Sequence, residues 1–148
     1  MNLPEWTTKG YFKRHRTSRK EIAELLAIAD RDLADSTVTE LSHDARLSFA
    51  YNAGLQLAHA ALAASGLRTA AKKGHHYWTI QSLSHTIEAD PAIVKQLDKF
   101  RGKRNTAEYE RAYAITEKEA EEMGSLARQL RILVVDWLRD RHPTLLGK

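Results

Sequence analysis

The chain has 148 residues, a net charge of +4 with histidines neutral, and no cysteine. That length suits one domain with an extensive core, and the lack of cysteine excludes a disulfide framework, a thiolate metal site and a cysteine nucleophile. The sequence has neither an apolar run of about 18 residues nor a secretory leader, so a cytoplasmic protein without membrane contact is expected.

The charge is unevenly placed. Residues 1–20 carry Lys9, Lys13, Arg14, Arg16, Arg19 and Lys20 against Glu5 alone, so the opening supplies the whole positive excess. Residues 1–17 read as a basic N-terminal arm. Lys13, Arg14 and Arg16 suit a phosphate backbone or an acidic partner, and Trp6, Tyr11 and Phe12 can stack on bases or dock in a groove. The simpler alternative is a solvated, poorly ordered terminus, against which three rings within a dozen residues argue.

Residues 18–148 read as a single helical domain. Ser18 and Glu21 form a capping-box pair ahead of Ile22, Leu25, Leu26, Ala29 and Leu33, which recur at helical spacing to about residue 35. Ser42 or His43 can cap a second helix that runs to about Ser65 and stops at Gly66. Alanine and leucine cover nearly every face of that helix, which makes it the central one. A loop over 66–74 leads to a third helix expected from His75 to Glu88. Asp90-Pro91 starts a fourth. Thr116 and Glu119 make a second capping box, followed by an inner stripe of Met123, Ala127, Leu130, Leu133, Val134 and Trp137 before Pro143. With no strand-type alternation and no internal repeat, the fold class is all-α, an antiparallel bundle of about five helices.

The stretch from Phe100 to Arg111 within the fourth helix is the richest in chemistry. Side chains three and four apart share a helix face, so Arg101, Arg104, Asn105 and Glu108 form one polar stripe. Two planar guanidiniums and an amide suit a phosphate clamp. Gly102 disfavours this helix by roughly 1 kcal/mol against alanine, which predicts a close approach of backbone or ligand. The alternative is a solvated face, with Arg104 and Glu108 in an exposed pair and Tyr109 a core aromatic. No glycine-rich phosphate loop, zinc motif or carboxylate di-iron motif occurs, and His75 and His76 point about 100° apart on a helix, so neither metal nor cofactor is expected. One of these two rings reads as a neutral, hydrogen-bonded imidazole. His59 and His85 read as packing histidines, and His15 and His43 as surface or capping residues.

The order of these features resembles the HEPN family of small helical bundles. The resemblance rests on Ala50-Tyr51-Asn52-Ala53 in the alanine-rich helix, Gly74-His75-His76 opening the third, and Arg104-Asn105-Thr106-Ala107-Glu108-Tyr109-Glu110 in the fourth. Active members of that family are metal-independent ribonucleases, often toxins of toxin and antitoxin pairs or phage-defence effectors, with an arginine, a polar residue and a histidine brought into one cleft by dimerisation. The resemblance implies that Arg104 and Asn105 stand at the arginine and polar positions and Tyr109 at the histidine position. Tyrosine, titrating at about 10, is a weak base near neutrality. The implied protein is a homodimer that binds RNA or a nucleotide at Arg104, Asn105 and Tyr109 with weak or no cleavage. Arg101, Lys103, Lys13, Arg14 and Arg16 would add nucleic-acid contacts, and His75 or His76 a proton relay. The first alternative is an active ribonuclease toxin with a cognate antitoxin or nucleotidyltransferase partner. A second is a protein-interaction scaffold.

Overall fold

Each long helix begins where a short polar side chain supplies a partner that the first turn lacks. In the computed structural model, which describes residues 3–147, α2 (Arg19–Asp35) starts at Ser18, whose hydroxyl accepts from the Glu21 backbone N–H. The Glu21 carboxylate turns outward instead of back, accepting from Thr17 and meeting His15, so only half of the expected capping box forms. Ser42 caps α3 (His43–Ala64), and Asp90 caps α5 (Pro91–Tyr109). Thr116 and Glu119 form the complete reciprocal box at the start of α6 (Glu117–Arg141).

Among the described residues the molecule is mostly helical, with six α-helices and one two-stranded sheet. The central helix is α3, which packs against α2, α4 (His75–Gln81), α5 and α6. Its leucines at 47, 57 and 62 are fully buried, each worth about 1.5 to 3 kcal/mol relative to exposure. Gly54 sets the spacing at the crossing with α5 and α6. A Cβ there would lie 3.3 Å from Leu97 Cδ2 and 3.7 Å from the Met123 methyl, so the absent side chain admits both neighbours. The buried stripe of α6 runs through Ala120, Met123, Ala127, Leu130, Val134 and Leu138. Leu133, expected in that stripe, is 37% exposed, and Leu138 fills the inner place one turn beyond Val134.

The opening segment is part of the fold. It forms α1 (Leu3–Thr8) and β1 (Phe12–Arg14), and β1 pairs antiparallel with β2 (Leu67–Thr69) in the register Phe12 to Thr69, Lys13 to Arg68 and Arg14 to Leu67. Trp6 and Phe12 join Leu62 in a small second apolar cluster, and Tyr11 stacks on Trp78 with ring centres 3.9 Å apart. The rings read as available for base stacking are therefore occupied by the protein itself. Strands of three residues are too short to show a period of two, which is why sequence patterning misses this ladder.

The third predicted helix is also shorter than its periodicity suggests. α4 covers His75–Gln81 and gives way to a single 3-10 turn at Ser82–Ser84. The Thr79 hydroxyl donates to the His75 carbonyl and the Ser82 hydroxyl to the Thr79 carbonyl. Side chains that bond back to preceding carbonyls in this way compete with the helical ladder. Among the described residues, no helix is long and apolar enough to cross a membrane.

Candidate functional site

Three helices bring polar side chains together where the core would otherwise be apolar. α3 supplies Tyr51, which is 1% exposed, α4 supplies His76, and α5 supplies Arg101 and Arg104. The Tyr51 hydroxyl lies 3.3 Å from His76 Nδ1. The Arg104 guanidinium sits over the Tyr51 ring at 5.5 Å, and that of Arg101 over the Tyr77 ring at 5.7 Å. Such placement holds a guanidinium by its attraction to the ring face while leaving its edge donors open.

Each arginine also has a carboxylate. Arg101 Nε donates to Asp98 at 2.8 Å, and Arg104 Nη2 lies 3.2 Å from Glu108, whose other oxygen accepts from Ser48 at 3.0 Å. The two pairs cancel the net charge of the cluster but occupy one nitrogen of each guanidinium. The remaining donors of both forks are available to an oxyanion.

The electrostatics fix the protonation states. Burial lowers the pKa of His76, and the positive charges of Arg104 and Arg101, with His75 between them in effect, add to that; Glu108 opposes it. His76 is therefore a neutral imidazole at pH 7. Burial pushes Tyr51 well above the ordinary phenol value, against the pull of Arg104 and Arg101, so it keeps its proton. His59, one helical stretch along α3, has its ring centre 5.8 Å from that of His75 and is held down to about 4, first by burial and then by the neighbouring histidines. The contact with Tyr51 engages Nδ1 of His76, and Nε2 has no partner among the described residues. The cluster offers a fork of guanidinium donors beside an imidazole nitrogen that gives or takes a proton according to its tautomer.

The other sequence-derived residues lie apart from this constellation or beside it. Asn105 is half-buried with no side-chain partner among the described residues, and Tyr109, the last residue of α5, is 77% exposed. Lys103 pairs with Glu119 at 2.7 Å and so ties α5 to α6. His75 is exposed, with its ring 6.2 Å from that of His76. Lys13 and Arg14 stand on β1, and Arg16 follows it. Gly102 is exposed and a Cβ on it would meet nothing within 4 Å, so among the described residues no neighbouring backbone makes the expected close approach. Nothing in the structure explains a glycine there. His85, read as a packing histidine, is exposed, with its ring edge-on to Trp6.

Sequence reasoning missed one buried polar link. Asp32, 2% exposed, accepts from Asn52 Nδ2 and pairs with Arg31, clamping α2 to α3 one residue from Tyr51. Its signal was a carboxylate within the apolar stripe of Ile22, Ala29 and Leu33. Among the described residues, no group of three or more His, Asp or Glu side chains is arranged to hold a metal ion. Comparison with family models, with curated proteins and with solved structures finds no match.

Proposed function

We propose that this chain is a HEPN-like RNA-binding protein, acting as a homodimer, in which Arg104 and Arg101 receive a phosphate and His76 and Tyr51 complete the site. The observation that carries the reading is the convergence of Arg104, Tyr51 and His76 from three helices, with open donors on both guanidiniums. The ring contact orients the Arg104 guanidinium and its ion pair with Glu108 occupies one nitrogen, which leaves a fixed fork of donors of the geometry that matches phosphate oxygens. Relative to the motif positions of the resemblance, this reading keeps Arg104 and moves the weight from Tyr109 to His76.

The test is RNA binding by Arg104→Ala. Affinity for single-stranded RNA should fall at least tenfold while the helical circular dichroism is unchanged, and the wild-type affinity should drop steeply as salt rises. Unchanged affinity in the variant would make the arginine a surface ion pair and leave the scaffold reading in its place.

A second reading, ribonuclease activity, is favoured by the neutral His76 beside Arg104. In that reaction the ribose 2′-oxygen attacks the adjacent phosphorus, His76 takes the 2′-hydroxyl proton, and the bond from phosphorus to the 5′-oxygen breaks. The products are a 2′,3′-cyclic phosphate and a 5′-hydroxyl, whose proton comes from water, and Arg104 stabilises the charge that builds on the phosphate oxygens. Cleavage of RNA in the presence of EDTA, lost in both His76→Ala and Arg104→Ala, would establish it. Binding without product would leave the first reading alone.

A further inference from the structure

An open groove lies elsewhere, between α1, the end of β1 with the residues after it, and the turn joining α3 to β2. Its volume is about 860 Å³, within the size range of small-ligand sites. Leu3, Pro4 and Leu67 line it with apolar surface, and Arg14 and Arg16 stand on its edge. No carboxylate lines this groove, and neither arginine has an acidic partner among the described residues. Each of the two guanidiniums at the first site has such a partner. The positive potential extends past the groove. Across the two-stranded ladder Lys13 stands directly opposite Arg68, whose charge also reaches Glu21 and helps to lower the pKa of that carboxyl.

The edge is built rigidly. Arg14 and Arg16 bracket His15, whose backbone N–H donates to the Gly66 carbonyl at 2.9 Å and whose Nε2 meets Glu21 at 2.7 Å. Burial raises the Glu21 pKa, but the hydrogen bonds from Thr17 and His15 outweigh it, so this carboxylate stays charged and fixes the ring. Beneath, Trp6 and Phe12 anchor the segment against Leu62. The hydroxyls of Thr7 and Ser65 donate to the carbonyls of Leu3 and Ala61, so toward a ligand each can act only as an acceptor.

We propose that this groove is a second binding site, for a nucleoside phosphate: the phosphate between Arg14 and Arg16, and the base against Leu3, Pro4 and Leu67. Two unpaired forks match phosphate oxygens, and an apolar wall matches the face of a base, whereas an acidic peptide would need the cations without the wall. The site is independent of the first. From Tyr51 to Ser65 is fourteen residues of α3 and its cap, about 21 Å at 1.5 Å per residue, too far for one mononucleotide to reach both.

The experiment is calorimetric titration of the full chain with AMP, ribose 5-phosphate, inorganic phosphate and a 5′-phosphorylated hexaadenylate. Measurements are repeated on Arg14→Glu/Arg16→Glu and on Arg104→Ala. AMP should bind at least tenfold more tightly than ribose 5-phosphate, lose at least tenfold in the double variant, and keep its affinity within twofold in Arg104→Ala. Tighter binding of AMP than of the hexamer would identify a free nucleotide as the occupant, and the reverse an RNA end. AMP affinity unchanged in the double variant, or abolished by Arg104→Ala alone, would overturn the proposal, as would AMP binding no better than phosphate or not at all. Loss of hexamer binding in Arg104→Ala bears on the first site only, so the two readings fail separately.

Discussion

The two flanks of α3 are built from opposite chemistry. Toward α6 it meets Met123, Ala127, Leu130 and Val134, all fully buried and apolar. Toward α4 and α5 it presents Ser48, Tyr51 and His59 to Glu108, His76 and His75. On the polar flank each buried group must recover its lost hydration through a partner, which the apolar flank does not require. The difference between the flanks separates the apolar packing of the core from the polar cluster on which the proposed site rests.

The largest expected effect comes from breaking the dry flank. Leu130→Ala should cost about 2 to 5 kcal/mol, from lost transfer energy and the cavity left behind. Urea unfolding at pH 7 measures it, and a loss below about 1 kcal/mol would mean that α6 is not seated as described.

The polar flank should betray itself through pH. His59 has its pKa held at about 4 in the folded chain against an ordinary 6.5, so the unfolded chain takes up a proton in that window and the folded one does not. Stability is therefore full above about 6.5 and falls as pH drops toward 4, by about 3 kcal/mol in all. The depressed His76 acts in the same direction. Urea midpoints measured from pH 7 to pH 4 should fall more gently in His59→Leu than in the wild type; identical slopes would show that the ring is already protonated in the fold.

A smaller effect separates helix formation from packing on the dry flank. Thr116→Ala removes the hydroxyl that accepts from Glu119 N–H and breaks the reciprocal box at the head of α6. Loss of such a cap costs about 1 kcal/mol. The same Glu119 holds Lys103 of α5, and hydrogen bonds from Lys103 and from the Thr116 backbone keep its carboxyl below the ordinary value. Thermal unfolding followed by circular dichroism should show the loss with RNA affinity unaltered.

What could be read in advance divides along the same line. The starts of α2, α3, α5 and α6 were legible because a cap acts within three residues of itself. The central place of α3 followed from its alanines and leucines. The pairing of β1 with β2 was not legible, because its register joins residues more than fifty apart in ladders of three. At the site, Arg104 stood out as one of four residues in a polar stripe and His76 as one of two adjacent histidines. Their meeting over Tyr51 depends on how α4 and α5 cross α3, which no spacing within one helix encodes. Tyr109 drew weight through its motif position, yet its ring lies in solvent.

The finest comparison is made within a single side chain, by Arg104→Lys. Lysine keeps the positive charge and can still reach Glu108 four residues on, a pair worth about 0.3 to 0.5 kcal/mol in either form, so stability should be unchanged within error. What lysine lacks is the planar fork that can lie on the Tyr51 ring and still offer two donors to one phosphate. If the arginine clamps a phosphate, RNA affinity should fall roughly tenfold, about 1.4 kcal/mol, with the unfolding curve unmoved. Were charge alone at work, lysine would bind RNA as arginine does, and the convergence of three helices on this guanidinium would need another explanation. The measurement is fluorescence anisotropy with labelled RNA at two salt concentrations, because a lost fork lowers affinity at both while leaving the salt dependence, set by charge, nearly the same.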